Sequence, residues 1–309
     1  MPRGPVGPRS ASPGPEMRPA AFASERPSLW LAGLSVAGLV IVVWFALLIP
    51  TQEGFGYDAF AFWDVRLGDI YARSFGQLTA YGAFRYSPPV ALAFAPFHLL
   101  PWPIFLALWT AVLAGTLAWL GGRWALASCV FIGIPVSIYE GNIDMLVAAS
   151  VVLAFRWPAI LSFAILAKVT PGVTLVWFLV RRDWRSVWIA LGSTVLIVVL
   201  TYPFVGDAWP SYIRMLVDNG GAAEGGNVIP RIVLAGALVG WAARSDRPWL
   251  VGIALAIAQP ALTIRSVAVG VAALALFRQG GGNVRPSGQR ETGSGFRNEA
   301  TQSTFEEAS

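Results

Sequence analysis

The sequence predicts an all-α integral membrane protein, a polytopic bundle of about eight to ten membrane helices with an external loop after the first. Three observations carry that expectation. Of 309 residues, 56% are apolar and only 13% are charged, whereas a soluble domain carries roughly 25% charged residues. The mean hydropathy is +0.61. Leu29 to Ile49 also runs without a charge as far as Pro50, long enough at ~1.5 Å per residue to cross a hydrocarbon core about 30 Å thick.

The elements follow in chain order. Residues 1–27 are rich in Pro, Gly, Ser and Arg with little apolar patterning, which predicts a disordered tail. Arg3, Arg9, Arg18 and Arg26 place that tail in the cytoplasm by the positive-inside rule. The first apolar run ends in Ala46-Leu-Leu-Ile-Pro50 and Thr51-Gln-Glu53, with no convincing small-residue cleavage site, so it is read as a retained span. Residues 51–86 then form an external loop of mixed charge and several aromatics. Ser87 to Leu120 holds two apolar stretches split by Leu100-Pro-Trp-Pro103. The flanking charges call for an odd number of crossings there, and the sequence leaves the number open.

Arg123, Arg156, Arg181, Arg182 and Arg185 mark inner positions, so Trp124 to Phe155 becomes a hairpin whose outer tip is Glu140-Gly-Asn-Ile-Asp144. A second hairpin has arms at Pro158 to Ala167 and Pro171 to Val180 and an outer turn at Lys168-Val-Thr-Pro171. Each arm is shorter than the ~17 to 25 residues of a full span, which predicts short or partly inserted helices. Val187 to Pro203 crosses outward, residues 205–227 make a second external loop, and Ile229 to Ala243 returns to Arg244 and Arg247. Trp249 to Phe277 closes the body, residues 28–278, as a hairpin back to Arg278. Residues 279–309 repeat the composition of a disordered tail, also cytoplasmic.

Several function classes drop out. The net charge is +5, but the basic residues stand singly between apolar runs, which argues for topology signals and against nucleic acid. Cys129 is the only cysteine and His98 the only histidine, so neither a disulfide within the chain nor a cysteine-based or multi-histidine metal centre is expected.

Polar groups kept at membrane depth are costly, about 2.5 to 3.5 kcal/mol for a charge at a helix centre, and three clusters qualify. In Gly56-Tyr-Asp-Ala-Phe-Ala-Phe-Trp-Asp64, Asp58 stands among aromatics, an arrangement that suits a saccharide and equally an interfacial aromatic belt. In Phe84-Arg-Tyr-Ser-Pro-Pro89, paired prolines open a helix, with Arg85 and Tyr86 at its mouth. Such an entry can hold an anion; Arg85 can equally snorkel to headgroups. Lys168 in Lys168-Val-Thr-Pro171 is assigned to the outer face against the usual bias of cations, where a polyprenyl phosphate would meet it. Glu140, Asn142, Asp144 and Arg231 are candidates to line the same cavity.

Taken together and in order, these pieces resemble the polyprenyl-phosphate-dependent glycosyltransferases of the GT-C fold, specifically glycosyltransferase family 87, which includes mycobacterial phosphatidylinositol-mannoside mannosyltransferases and related arabinofuranosyltransferases. The matching features are Tyr57-Asp58 after the first span, the Tyr86-Ser-Pro-Pro89 entry, the Gly141-Asn-Ile-Asp144 tip and Lys168-Val-Thr-Pro171 before the basic loop Arg181 to Arg185. The resemblance covers about residues 29–245. It departs at the tip, where the family usually has Gln and Asn, and in the few spans after Arg247. It implies inverting transfer of one sugar, mannose first and arabinofuranose second, with no metal ion and no cofactor. The donor would be a polyprenyl phosphate and the acceptor a glycolipid or polysaccharide on the outer face of the cell membrane. In that chemistry Asp58 is the general base with Asp64 in reserve. Lys168, Arg85 and Arg231 meet the donor phosphate, and Tyr57, Tyr86, Glu140, Asn142 and Asp144 line the substrate site. A lipid-linked sugar flippase would instead show inverted repeats and a charged path to both faces, and a non-catalytic envelope-assembly protein would have no need of Asp58.

Overall fold

A computed structural model describes residues 29–51, 54–74, 81–221, 228–259 and 263–280. The tail expectations lie outside these residues, except that the last helix runs to Gly280, two residues into the expected second tail. Among the described residues every regular element is helical.

The first helix, α1 (Leu29–Leu48), is built wholly from uncharged residues and ends before Pro50. A short helix, α2 (Ala59–Trp63), follows the turn after it. The proline pair opens α3 (Pro88–Phe94), and Pro101 and Pro103 start α4 (Trp102–Gly121), where a missing N–H costs no helical hydrogen bond. Then come α5 (Ala125–Ser128), α6 (Gly133–Glu140), α7 (Asp144–Ala154), α8 (Leu161–Ala167) and α9 (Leu175–Val180). The carboxylate of Asp183 caps α10 (Trp184–Val205) by accepting from the Ser186 N–H at 3.2 Å, which satisfies one of the orphan donors of a helix start. The chain ends in α11 (Trp209–Gly221), α12 (Val228–Arg244), α13 (Trp249–Ile257) and α14 (Ala272–Gly280).

Contacts sort the helix ends into two groups. At one end the Tyr139 hydroxyl donates to the Leu48 carbonyl at 3.3 Å, joining the finish of α6 to the finish of α1. At the other, the Trp30 and Trp124 rings meet at 5.0 Å, Arg278 donates to the Leu120 carbonyl at 3.1 Å, and Arg181 pairs with Asp246 at 2.5 Å. Three helices are long and apolar enough to cross a membrane, Leu29–Thr51, Trp102–Ser128 and Trp184–Asp218, and the pair α6 and α7, bent by 110°, makes a fourth when counted together. The arms α8 and α9 are short, as their sequence predicts.

Two hydrogen bonds bear on residues 87–120, whose number of crossings the sequence leaves open. The Ser87 N–H donates to the Leu166 carbonyl at 3.3 Å, and the Trp63 indole donates to the Leu100 carbonyl at 2.8 Å. Residues 87–100 therefore begin beside α8 and end beside α2, and of the helices in this stretch only α4 is long and apolar enough to cross a membrane. One expectation is corrected: the stretch 205–227, expected as an external loop, is helical over Trp209–Gly221, where α11 buries Tyr212 and Met215 while Ile213, Leu216 and Val217 stay exposed, and residues 222–227 lie outside the described ones.

Lipid is the natural solvent for this surface. Only 6% of the most apolar stretch of α1 and 11% of that in α10 is buried. Val36, Val40, Trp44, Leu47, Val195, Val199 and Leu200 all point outward. Contiguous apolar faces of this extent mark a membrane or partner surface, and here they lie on α1, which carries no charge, and on α10 beyond Arg185.

Candidate functional site

Asp58 sits immediately before α2, on a turn that runs along the finish of α6. The Gly56 N–H donates to the Tyr139 carbonyl at 2.9 Å and the Asp58 N–H to the Glu140 carbonyl at 2.7 Å. Those carbonyls lack partners within their own helix, so the first loop completes the α6 terminus. Gly141 then turns the chain with φ +77°, and a Cβ there would stand 2.5 Å from the Ala59 Cβ. Only glycine adopts that conformation freely, and here the space also demands it. The Trp109 indole fixes the turn by donating to the Gly141 carbonyl at 2.8 Å.

This turn delivers Asn142 to Asp58. The Asn142 carboxamide donates from Nδ2 to Asp58 Oδ2 at 2.7 Å, while its Oδ1 accepts from the Asp144 N–H at 3.0 Å. The guanidinium of Arg265 approaches the same Asp58 oxygen at 3.8 Å and is bonded to Glu140. Behind them the Asp144 carboxylate, wholly buried, is bonded to the Lys168 ammonium. The Asp58 side chain remains 22% exposed. The half-buried Tyr57 and Phe60 both meet the exposed Tyr81 ring, at 5.3 and 4.6 Å, and Trp102 lies 5.4 Å from Phe60. A carboxylate with an open side next to an aromatic wall suits a group that offers hydroxyl edges and apolar C–H faces.

Tyr86 is buried against Phe62 at 4.8 Å, and its carbonyl accepts from the Tyr71 hydroxyl at 2.7 Å. Burial first, then the charges of Asp58 and Asp144, push its phenol well above the usual range, while Arg85 and Arg265 act in the opposite sense. The phenol stays protonated, so it can donate a hydrogen bond but cannot take a proton.

The structure therefore brings together Asp58, Glu140, Asn142, Asp144, Lys168 and Tyr86, with Tyr57 beside them. It does not bring in Asp64. That carboxylate accepts from Arg73 at 2.6 Å and Arg66 at 3.5 Å, with His98 at 3.9 Å, and belongs to a separate ion-pair group. The expected anion cradle at the start of α3 is also corrected. Pro88 and Pro89 carry no N–H, those of Val90 and Ala91 donate to the Ser87 carbonyl, and that of Ser87 is taken by Leu166. No backbone donor is left for an anion there, and Arg85 stands exposed beside the entry. Arg231, half-buried in the first turn of α12, lies on a helix that packs against residues 170–174.

Arg265 is the residue that sequence reasoning missed. It is the one charged residue between Arg247 and Arg278, inside the stretch expected as the last hairpin, and the argument that singles out Lys168 against the positive-inside bias applies to it equally.

With this geometry in place, comparison with known proteins adds one match. The model of glycosyltransferase family 87 matches residues 84–286, about two thirds of the chain. The match takes in Asn142, Lys168 and Arg265 and begins after Asp58. No curated protein and no solved structure matches the chain.

Proposed function

This chain belongs to glycosyltransferase family 87, and on that footing we propose that it moves one sugar from a polyprenyl-phosphate donor to a hydroxyl of a lipid- or glycan-linked acceptor. Mannose is the first donor sugar on this reading and arabinofuranose the second. Asp58 is the general base. Its carboxylate takes the proton of the acceptor hydroxyl while the hydroxyl oxygen bonds to the anomeric carbon. The bond from that carbon to the phosphate oxygen breaks, and the electron pair departs with the phosphate. Attack from the side opposite the phosphate inverts the anomeric configuration. The charge growing on the leaving group is offset by cations at the same end. Arg85 is the exposed one, with Arg231 on α12, while the charge of Lys168 is shared with Asp144.

The observation that carries this reading is the state of Asp58, restrained on one oxygen by Asn142 and still partly open beside the aromatic wall. The Asp58 end is assigned to the outer face because Arg123, Arg181, Arg247 and Arg278 gather at the other, three of them over tryptophan rings, as positive-inside and aromatic-belt patterns require. Both termini are then cytoplasmic.

The test is sugar incorporation by protein reconstituted in lipid vesicles, with radiolabelled polyprenyl-phosphate mannose and polyprenyl-phosphate arabinofuranose as donors. Wild type is expected to transfer one of the two, and Asp58→Asn to lose about 100-fold or more, the range of a general base. Equal transfer by both proteins removes Asp58 as base. No transfer by wild type from either donor removes this donor class.

A further inference from the structure

Among the described residues, the contacts to the Asp58 carboxylate fall on a single oxygen. Asn142 Nδ2 lies 2.7 Å from Oδ2, and Arg265 Nη1 lies 3.8 Å from the same atom. Neither engages Oδ1, although the side chain is partly exposed. Asn142 is itself 8% exposed and has no freedom to turn, because flipping its amide would place an oxygen against Asp58 and an NH2 against the Asp144 N–H. Asp144, the next link, is fixed by Lys168. A chain of specific bonds thus runs from a buried ion pair through the tip to one oxygen of Asp58.

We propose that Asn142 is a positioning residue for the base: its carboxamide holds Oδ2 of Asp58 and so turns Oδ1 toward the acceptor hydroxyl, with the Asp144–Lys168 pair as the peg that fixes the tip. This rests on the reading of Asp58 as base and assigns Asn142 a different part from direct contact with the sugar. Restraining a base in its productive geometry matters because a misplacement of about 1 Å can cost about 100-fold in rate. The charged and titratable groups that face Asp58 are Arg265, Glu140, Asp144 and Tyr86, beside the Asn142 amide.

Two substitutions separate positioning from substrate contact, with transfer measured against pH for both donors in vesicles. Asn142→Asp keeps size and shape but sets a second carboxylate oxygen about 2.7 Å from Oδ2, and two carboxylates that close share a proton. The acid limb of the kcat profile is expected to move up by at least one pH unit, with KM for donor and acceptor within twofold. Asn142→Ala is expected to lower kcat about 10- to 100-fold at unchanged KM, and to cost nothing further in an Asp58→Asn background. Protection of the buried Cys129 from a thiol reagent checks that each variant is folded. A tenfold rise in either KM with kcat and the acid limb unmoved would show that Asn142 touches substrate and overturn the inference. If Asp58→Asn transfers like wild type, the base reading fails and this one with it. If Asp58→Asn is inactive while Asn142→Asp keeps the wild-type kcat and acid limb, positioning alone fails.

Discussion

Replacing Lys168 with Met removes the cation bonded to a carboxylate that no solvent reaches. Asp144 is 0% exposed and its Oδ2 has no hydrogen-bond partner among the described residues, so the bond from Lys168 to Oδ1 is its principal compensation. Breaking a buried pair from one side costs about 3 to 5 kcal/mol, because the remaining charge has neither water nor partner. Exchanging both members for apolar residues of similar volume is about neutral. Lys168→Met should therefore destabilise by about 3 to 5 kcal/mol, and Lys168→Met combined with Asp144→Leu should recover most of that loss. The assay is already built into the chain, since its only cysteine, Cys129, is buried and reacts with a fluorogenic thiol reagent only when the bundle opens. Labelling is followed against temperature in detergent. A Lys168→Met protein within about 1 kcal/mol of wild type would refute the view that this pair pegs the tip.

Other expectations follow from single contacts. Gly141→Ala forces a Cβ to 2.5 Å from Ala59 at a φ of +77°, a combination of strain and overpacking worth about 1 to 3 kcal/mol; its melting point and its sugar transfer should fall together. Gly38→Val places a Cβ 1.8 Å from the Leu126 carbonyl oxygen, whereas Gly33 has nothing within 4 Å, so Cys129 should label faster in the first variant and unchanged in Gly33→Val. Asp64→Asn weakens pairs with Arg66 and Arg73, whose side chains are 70% and 54% exposed. Pairs of that kind are worth about 1 kcal/mol or less, so transfer should stay within about tenfold of wild type.

Much of this architecture was legible because lipid imposes simple rules. The uncharged run ending at Pro50 is α1, the prolines at 88 and 89 open α3, and Glu140 to Asp144 is the tip that faces the first loop. What the sequence hid are features set by contacts between distant residues. Residues 87–100 begin beside α8 and end beside α2 because Leu166 holds Ser87 and Trp63 holds Leu100, and no local pattern reports either bond. The stretch after Val205 looked like a loop by its polarity, yet α11 places Tyr212 and Met215 one turn apart on a buried face. Lys168 was noticed as a cation, but its partner Asp144 lies 24 positions away, and charge alone did not say whether the ammonium awaited a phosphate or already had a counterion. Arg265 was lost inside a hairpin read only by its apolar length.

The central claim is that the carboxylate of Asp58 takes the acceptor proton, and the most direct measurement compares Asp58→Asn with Asp64→Asn in the same vesicles, donor and acceptor. The account predicts that Asp58→Asn loses about 100-fold or more in kcat while Asp64→Asn keeps most of it, with Cys129 protected in both. Loss of transfer in Asp64→Asn with transfer intact in Asp58→Asn would contradict it.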